Sequence, residues 1–247
     1  MRGKSNLGCK KGILMNILLT GHKGFIGREL YKRLSVRNLV IGLDLKDGND
    51  LLSCTFPSDI DLVIHLAGKS GVRESLKNPG DYWINNVEAS KRLFDAYKDT
   101  RILYASSSSQ YEPHLNPYAA SKHILERLAG CYGNTVGMRF HTVYNDDPRE
   151  GMFFDKLKKG KLEYVTNHTR DFLHMDDCLD AVEILIKNPT FKGAVDIGSG
   201  HSTVVRELVD KSIPVKNVSN ERENTLADIS IIKSMGYNPK HRIPNGI

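Results

Sequence analysis

The sequence is poor in cysteine, in long apolar runs and in net charge, and each shortage excludes a class of protein. Its cysteines, Cys9, Cys54, Cys131 and Cys178, form no CxxC or CxxH pair. That argues against a zinc site or a disulfide framework and predicts reduced thiols in a cytoplasmic protein that holds no metal. No stretch approaches the roughly 18 apolar residues of a membrane span, and the N-terminus lacks the apolar segment of a signal peptide. Of the formal charge of +6, four units come from Arg2, Lys4, Lys10 and Lys11, which no acid accompanies. The body is therefore nearly neutral, which speaks against nucleic acid and suits an anionic small molecule. Residues 1–14 read as a flexible basic extension ahead of the first strand.

What the chain does contain is alternation. Short apolar runs bounded by turn residues recur at 15–20, 39–44, 61–67, 101–106, 135–140 and 193–198. Continuous and rich in Val, Ile and Leu, they suit strands buried on both faces. Helical patterns lie between them, from Gly27 to Ser35, Tyr82 to Lys98, Tyr118 to Tyr132 and Asp176 to Lys187. This order predicts an α/β fold, a doubly wound parallel sheet with helices on both faces. The regular pattern fills residues 15–147 and returns at about 171–198. Segments 148–170 and 199–247 are expected to form a small lobe.

TGHKGFIG (20–27) follows the first strand directly and opens a helix. Gly21 suits a tight turn, Gly24 a close approach of backbone to pyrophosphate, and Gly27 close packing of helix on strand. The spacing is GxxGxxG, a variant of the dinucleotide fingerprint that marks the Rossmann type of this fold. Asp44 ends the second strand, where a carboxylate can accept both hydroxyls of an adenosine ribose and repel a 2′-phosphate. NAD is therefore expected over NADP, with nearby Lys46 moderating that preference. HLAG (65–68) ends the third strand, where Leu66 and the small Ala67 and Gly68 let the cofactor lie against backbone. His65, inside that strand, is expected to be a satisfied core residue.

In NPYAASK (116–122), Asn116 can cap and Pro117 can occupy the first turn of a helix. Tyr118 and Lys122 are four apart and share one helical face. A free phenol ionises near pH 10; a neighbouring ammonium and the positive nicotinamide ring of NAD⁺ both favour the phenolate. Tyr118 can then take a hydroxyl proton while hydride leaves the same carbon, with a serine from the preceding strand end sharing that proton.

These residues resemble the extended short-chain dehydrogenase/reductase family in its NAD-dependent epimerase/dehydratase branch. The resemblance runs from about Met15 to the C-terminus through TGHKGFIG, DLVIHLAG, NNV (85–87), YASSSSQY, YAASK, RFHTVY (139–144), RDFLHMDD (170–177), VDIGSG (195–200) and TLAD (225–228). Two stretches, 71–87 and 138–152, are most similar to UDP-glucuronate 4-epimerases, with UDP-glucose 4-epimerases close behind. The resemblance implies that Ser107, Tyr118 and Lys122 are catalytic. It implies cofactor contacts at Gly21, Gly24, Phe25, Ile26, Gly27, Asp44, Leu66, Ala67, Gly68, Asn86 and Ser106, beside Tyr118 and Lys122. Ser108, Thr142, Arg149 and Arg170 would meet a nucleotide-sugar substrate, Arg170 at the diphosphate and Arg149 at a sugar carboxylate. It also implies a homodimer through helices 82–98 and 118–132.

Departures from the family pattern narrow the chemistry. Dehydratases of the family carry acids after the catalytic serine or threonine; here Ser108 and Ser109 stand there, so elimination of water is disfavoured. The segments between Ser107 and Tyr118 and before TLAD are shorter than in typical members. C4 epimerisation of a UDP-sugar is the leading expectation. A 4-keto-sugar reductase, or a non-catalytic nucleotide-binding module with trimmed loops, are the alternatives.

Overall fold

A computed structural model describes residues 15–243, so the extension assigned to residues 1–14 lies outside the described residues. The chain runs β1 (Asn16–Thr20), α1 (Phe25–Leu34), β2 (Leu39–Leu43), β3 (Leu62–His65), α2 (Val72–Lys77) and α3 (Pro79–Trp83). One turn of π-helix at Ile84–Glu88 joins α3 to α4 (Ala89–Ala96), followed by β4 (Arg101–Ser107), α5 (Pro117–Ala129) and β5 (Thr135–Phe140). The remainder is β6 (Thr142–Tyr144), α6 (Phe153–Lys158), β7 (Thr169–His174), α7 (Met175–Lys187), β8 (Gly193–Ile197), β9 (Ser202–Val204) and α8 (Ser230–Ser234).

The six strands expected from the apolar runs form one sheet in the order β2-β1-β3-β4-β5-β8, with every pairing parallel. Successive side chains of a strand point to opposite faces, and β1 shows the consequence. Ile17 and Leu19 enter a core with Leu30 and Leu34 of α1 and Leu179 and Val182 of α7. Leu18, between them, enters a second core with Leu93 and Phe94 of α4 and Leu125 of α5. Both faces of the sheet are thus covered, which is why its strands read as unbroken apolar runs.

Three short strands escape the sequence pattern. β6, β7 and β9 form a second sheet, β6-β7-β9, over a third core in which Phe172, Val165, Val205 and Leu208 pack with Phe153 and Phe154. The boundary expected between residues 170 and 171 falls inside β7. One side chain of that strand joins the two sheets. Asp171 is fully buried; its Oδ1 accepts from the Ser199 amide (2.7 Å) and hydroxyl (2.8 Å), its Oδ2 from the amides of Gly200 (2.9 Å) and Ala227 (3.1 Å). A carboxylate is an acceptor only, so the match is complete.

On the two helices expected to face a partner, Leu93 is buried in the core while Ala96 and Ile124 are exposed and Leu128 is half-buried. Among the described residues no helix is long and apolar enough to cross a membrane.

Asp171→Asn turns one acceptor into a donor that faces amide hydrogens. Urea unfolding should show a lower midpoint at unchanged slope, a loss of about 2–4 kcal/mol. A wild-type midpoint would mean that this junction does not hold the sheets together.

Candidate active site

The C-terminal edge of the large sheet carries the cleft, and its floor is built by the absence of side chains. Gly21 has φ 72°; its amide donates to the Leu43 carbonyl of β2 at 2.8 Å, and its carbonyl accepts from the Gly24 amide at 2.9 Å, closing the turn after β1. A Cβ on Gly21 would lie 2.6 Å from the Ala67 amide nitrogen, and one on Gly27 would lie 2.0 Å from the Gly21 carbonyl oxygen. Helix α1 therefore meets the strand backbone directly. Gly24 caps α1 without a capping side chain, and no acid sits in the first turn. The free amides of the helix start, those of Phe25 and Ile26, are thereby left for an anion.

Asp44 stands at the end of β2, half-buried. Its Oδ2 accepts from the Lys23 amide and its Oδ1 from the Lys46 amide, each at 2.9 Å. Each oxygen retains a lone pair for a hydroxyl donor, so the carboxylate braces the glycine turn and still suits a ribose. Lys46 reaches back to the Lys23 carbonyl at 3.4 Å. Leu66 and Ala67 leave β3 opposite that turn. His65 is the core residue expected from its strand position: its ring bonds Thr20 Oγ1 (2.7 Å) and Ser90 Oγ (2.8 Å). Burial, aided by the charge of Lys122, pulls its pKa down to about 3.

Two residues expected at the cofactor have partners within the protein. Asn86, on the π-turn, accepts from the Lys69 amide (2.7 Å) and donates to the Lys69 carbonyl (2.9 Å) and Ser121 Oγ (3.0 Å). Both of its amide hydrogens are taken, so it shapes the loop at Gly68, and its side-chain oxygen keeps one lone pair. Ser106 donates to Glu126 Oε1 at 2.5 Å and points into the protein. Side chains far apart in sequence produce both pairings, and no local pattern announces them.

The helix α5 forms as its N-terminal residues direct: the Asn116 side chain accepts from the Ala119 amide at 2.8 Å, and Pro117 opens the first turn. Tyr118 is half-buried, edge-on to Tyr82 with ring centroids 6.1 Å apart. Tyr82 in turn donates to the carbonyls of Ser70 (3.0 Å) and Gly71 (2.9 Å). Burial pushes the Tyr118 phenol up, against a hydrogen bond from Ser107 and the charge of Arg149. Lys122, one turn on, donates from Nζ to the Ala105 carbonyl at 2.8 Å, and burial lowers its pKa to about 8 despite the charge of Glu126. The ammonium has two further N–H bonds to offer, and the charge of Arg149 also bears on Tyr118.

Arg149 is exposed on the loop after β6, where Nη1 donates to Ser70 Oγ at 2.7 Å. The same loop carries Asp147, which pairs with Arg28 of α1 at 2.8 Å. Residues 145–151 thus touch both ends of the cleft. Thr142, at the start of β6, is half-buried. Arg170, in β7, donates to the carbonyls of Thr169 (2.8 Å) and Glu223 (3.2 Å) and pairs with Glu221 at 3.4 Å. A diphosphate there would have to compete with Glu221. Ser108 is buried, and its carbonyl accepts from Arg222 Nη1 at 3.0 Å. Arg222 also pairs with Glu112 at 2.8 Å and lies over the Tyr111 ring, with Arg139 on that ring as well. Sequence reasoning missed Arg222; its nearness to TLAD was the available signal.

These features define an α/β protein that binds a dinucleotide at the C-terminal edge of its sheet. The model of the NAD dependent epimerase/dehydratase family matches residues 17–198. The chain belongs to that family, and NAD is its cofactor. UDP-glucuronate 4-epimerase 2 of Arabidopsis thaliana is 27% identical over 293 aligned positions, covering 92% of this chain and 67% of that protein. The UDP-glucuronic acid 4-epimerase of Bacillus cereus, solved with UDP-glucuronic acid and NAD, superposes with TM-score 0.82 at 28% identity, covering 92% of this chain and 95% of that one. TunA, an NAD dependent NDP-hexosamine 5,6-dehydratase, gives TM-score 0.81 at 25% identity, covering 93% of each chain.

The neutral, buried His65 makes the cleft sensitive to acid. Its folded pKa of about 3 lies below the ordinary 6.5, so the unfolded chain takes up the proton first. Stability should be full above about pH 6.5 and fall as pH drops toward 3, by up to about 1.4 kcal/mol per unit. Urea midpoints at pH 7 and pH 5 should differ more for wild type than for His65→Asn. Equal differences would remove His65 from the account.

Proposed function

We propose that the protein epimerises a UDP-sugar at C4, with UDP-glucuronate as the preferred substrate and UDP-glucose the nearest alternative. The observation that carries the reading is the grouping of Tyr118, Ser107 and Arg149 in one cleft beside the dinucleotide turn. NAD, when bound there, supplies reversible hydride acceptance. Tyr118 removes the proton from the sugar's 4-hydroxyl and returns it after the ring has turned over, and Ser107 bonds the same oxygen. Burial alone works against the phenolate, so Arg149 and the Ser107 hydroxyl oppose that penalty. Arg149, held at Ser70, would take the sugar's carboxylate in bidentate fashion. Arg170 and Ser108, with Thr142, line the approach of the nucleotide.

TunA's similarity raises dehydration as a second reading. Elimination needs an acid and a base beside the sugar. At the positions after Ser107 the chain has Ser108 and Ser109, and the carboxylate of Glu112 is paired with Arg222. Epimerisation needs no acid or base beyond Tyr118.

We infer a cytoplasmic homodimer. Support comes from the exposed Trp83, Ile84 and Ile124 on the α3–α5 face and from the free Cys54, Cys131 and Cys178.

NMR of UDP-glucuronate incubated with the protein and NAD should show the C4 epimer accumulating without net reduction of NAD. No conversion of either UDP-sugar would sink the proposal. Tyr118→Phe should lower kcat by about 100-fold or more while NAD binding by calorimetry stays within a few fold. Arg149→Ala should raise KM for UDP-glucuronate more than for UDP-glucose.

A further inference from the structure

Glu126 follows Lys122 by one turn on α5 and is half-buried between β4 and β5. Its Oε1 accepts from Ser106 Oγ at 2.5 Å, and Arg139 donates to the carboxylate from Nε at 3.0 Å and from Nη2 at 2.8 Å. One turn earlier Lys122 Nζ donates to the Ala105 carbonyl at 2.8 Å. Successive turns of α5 therefore hold successive residues of β4. The next residue on that strand is Ser107, the one that must meet Tyr118.

We propose that Glu126 is a positioning residue of the reaction. It fixes α5 on β4 in the register that brings Tyr118 to Ser107, and it is the counter-charge that keeps the buried Lys122 an ammonium. The proposal rests on the reading of Tyr118 as the base.

The surroundings of the pair support this assignment. Lys122 is buried. It shares α5 with Tyr118 and Glu126, bears on His65 of β3 and approaches the Gly68 loop beside Asn86. His65 is neutral, as its lowered pKa requires, and contributes no charge. Glu126 faces Arg139 of β5 and Ser106 and Tyr104 of β4. Arg139 is shared, since it also donates to the Tyr111 hydroxyl at 2.8 Å and lies 3.7 Å from Asp196. Glu126 is the acid that opposes the desolvation of Lys122.

The test follows Lys122 Cε by NMR in NAD-loaded protein carrying ¹³C-lysine, with its signal assigned by loss in Lys122→Arg. Glu126→Gln should move the titration midpoint of Lys122 down by at least about 1 pH unit. Glu126→Asp, which keeps the charge but withdraws it, should move it less. Ser106→Ala, which breaks the clamp and keeps the charge, should leave the midpoint in place and lower kcat with little change in KM. An unshifted midpoint in a Glu126→Gln protein that binds NAD stoichiometrically overturns the proposal. Should that variant fail to fold, an unchanged midpoint and kcat in Glu126→Asp overturns it instead. The titration uses no sugar, so failure of the epimerase reading would leave a shifted midpoint standing.

Discussion

The cleft depends on a contact made where two residues have no side chain. Gly27 of α1 rests on the carbonyl of Gly21, and Gly21 rests on the backbone of Ala67. Any Cβ at these points would wedge the helix away from the sheet and withdraw the free amides of its first turn. Because the contact holds, Asp44 can brace the turn through the Lys23 amide, and β1, β2 and β3 end at one level. The tyrosine helix then needs only to reach that level from the other side.

It does so by a different device. On the α1 side the approach is backbone on backbone; on the α5 side it is made by polar side chains reaching into the strand, Lys122 to Ala105 and Glu126 to Ser106. Dispersion between glycine surfaces is insensitive to pH, whereas a buried ion and its partner are not. The two walls of one cleft therefore respond differently to their surroundings. The reactive hydroxyls stand on the polar wall.

How much of this was legible in the sequence follows from the range of each interaction. The glycine turn, Asp44, the Asn116 cap and the spacing of Tyr118 and Lys122 are local, and the six main strands announce themselves as apolar runs. The second sheet does not: β6 and β9 have three residues each, too few for a period, and β7 carries charged residues because Asp171 is a junction and Arg170 a ligand of neighbouring carbonyls. Asn86 and Ser106 were legible as residues near the site but not in their work, since their partners lie 17 and 20 positions away. Lys122 stands one turn from Tyr118, as its spacing requires, while Arg149, whose charge also bears on the phenol, lies on a loop far along the chain. The alignment with the Arabidopsis epimerase runs to 293 positions against a chain of 247 residues, so relatives carry segments that this protein lacks. That agrees with the shortness of the stretch between Ser107 and Tyr118.

The loop at 145–151 joins the two ends of the cleft through contacts of unlike kind. At the phosphate end Asp147 and Arg28 form an ion pair whose acid is largely exposed, with 81% of its side chain open to solvent. At the sugar end Arg149 donates to a neutral hydroxyl. Salt screens the first contact, with a Debye length of about 8 Å at physiological ionic strength, and leaves the second nearly untouched. Rising ionic strength should therefore unfasten the loop from one side only. The two fastenings of one loop thus differ in their response to salt.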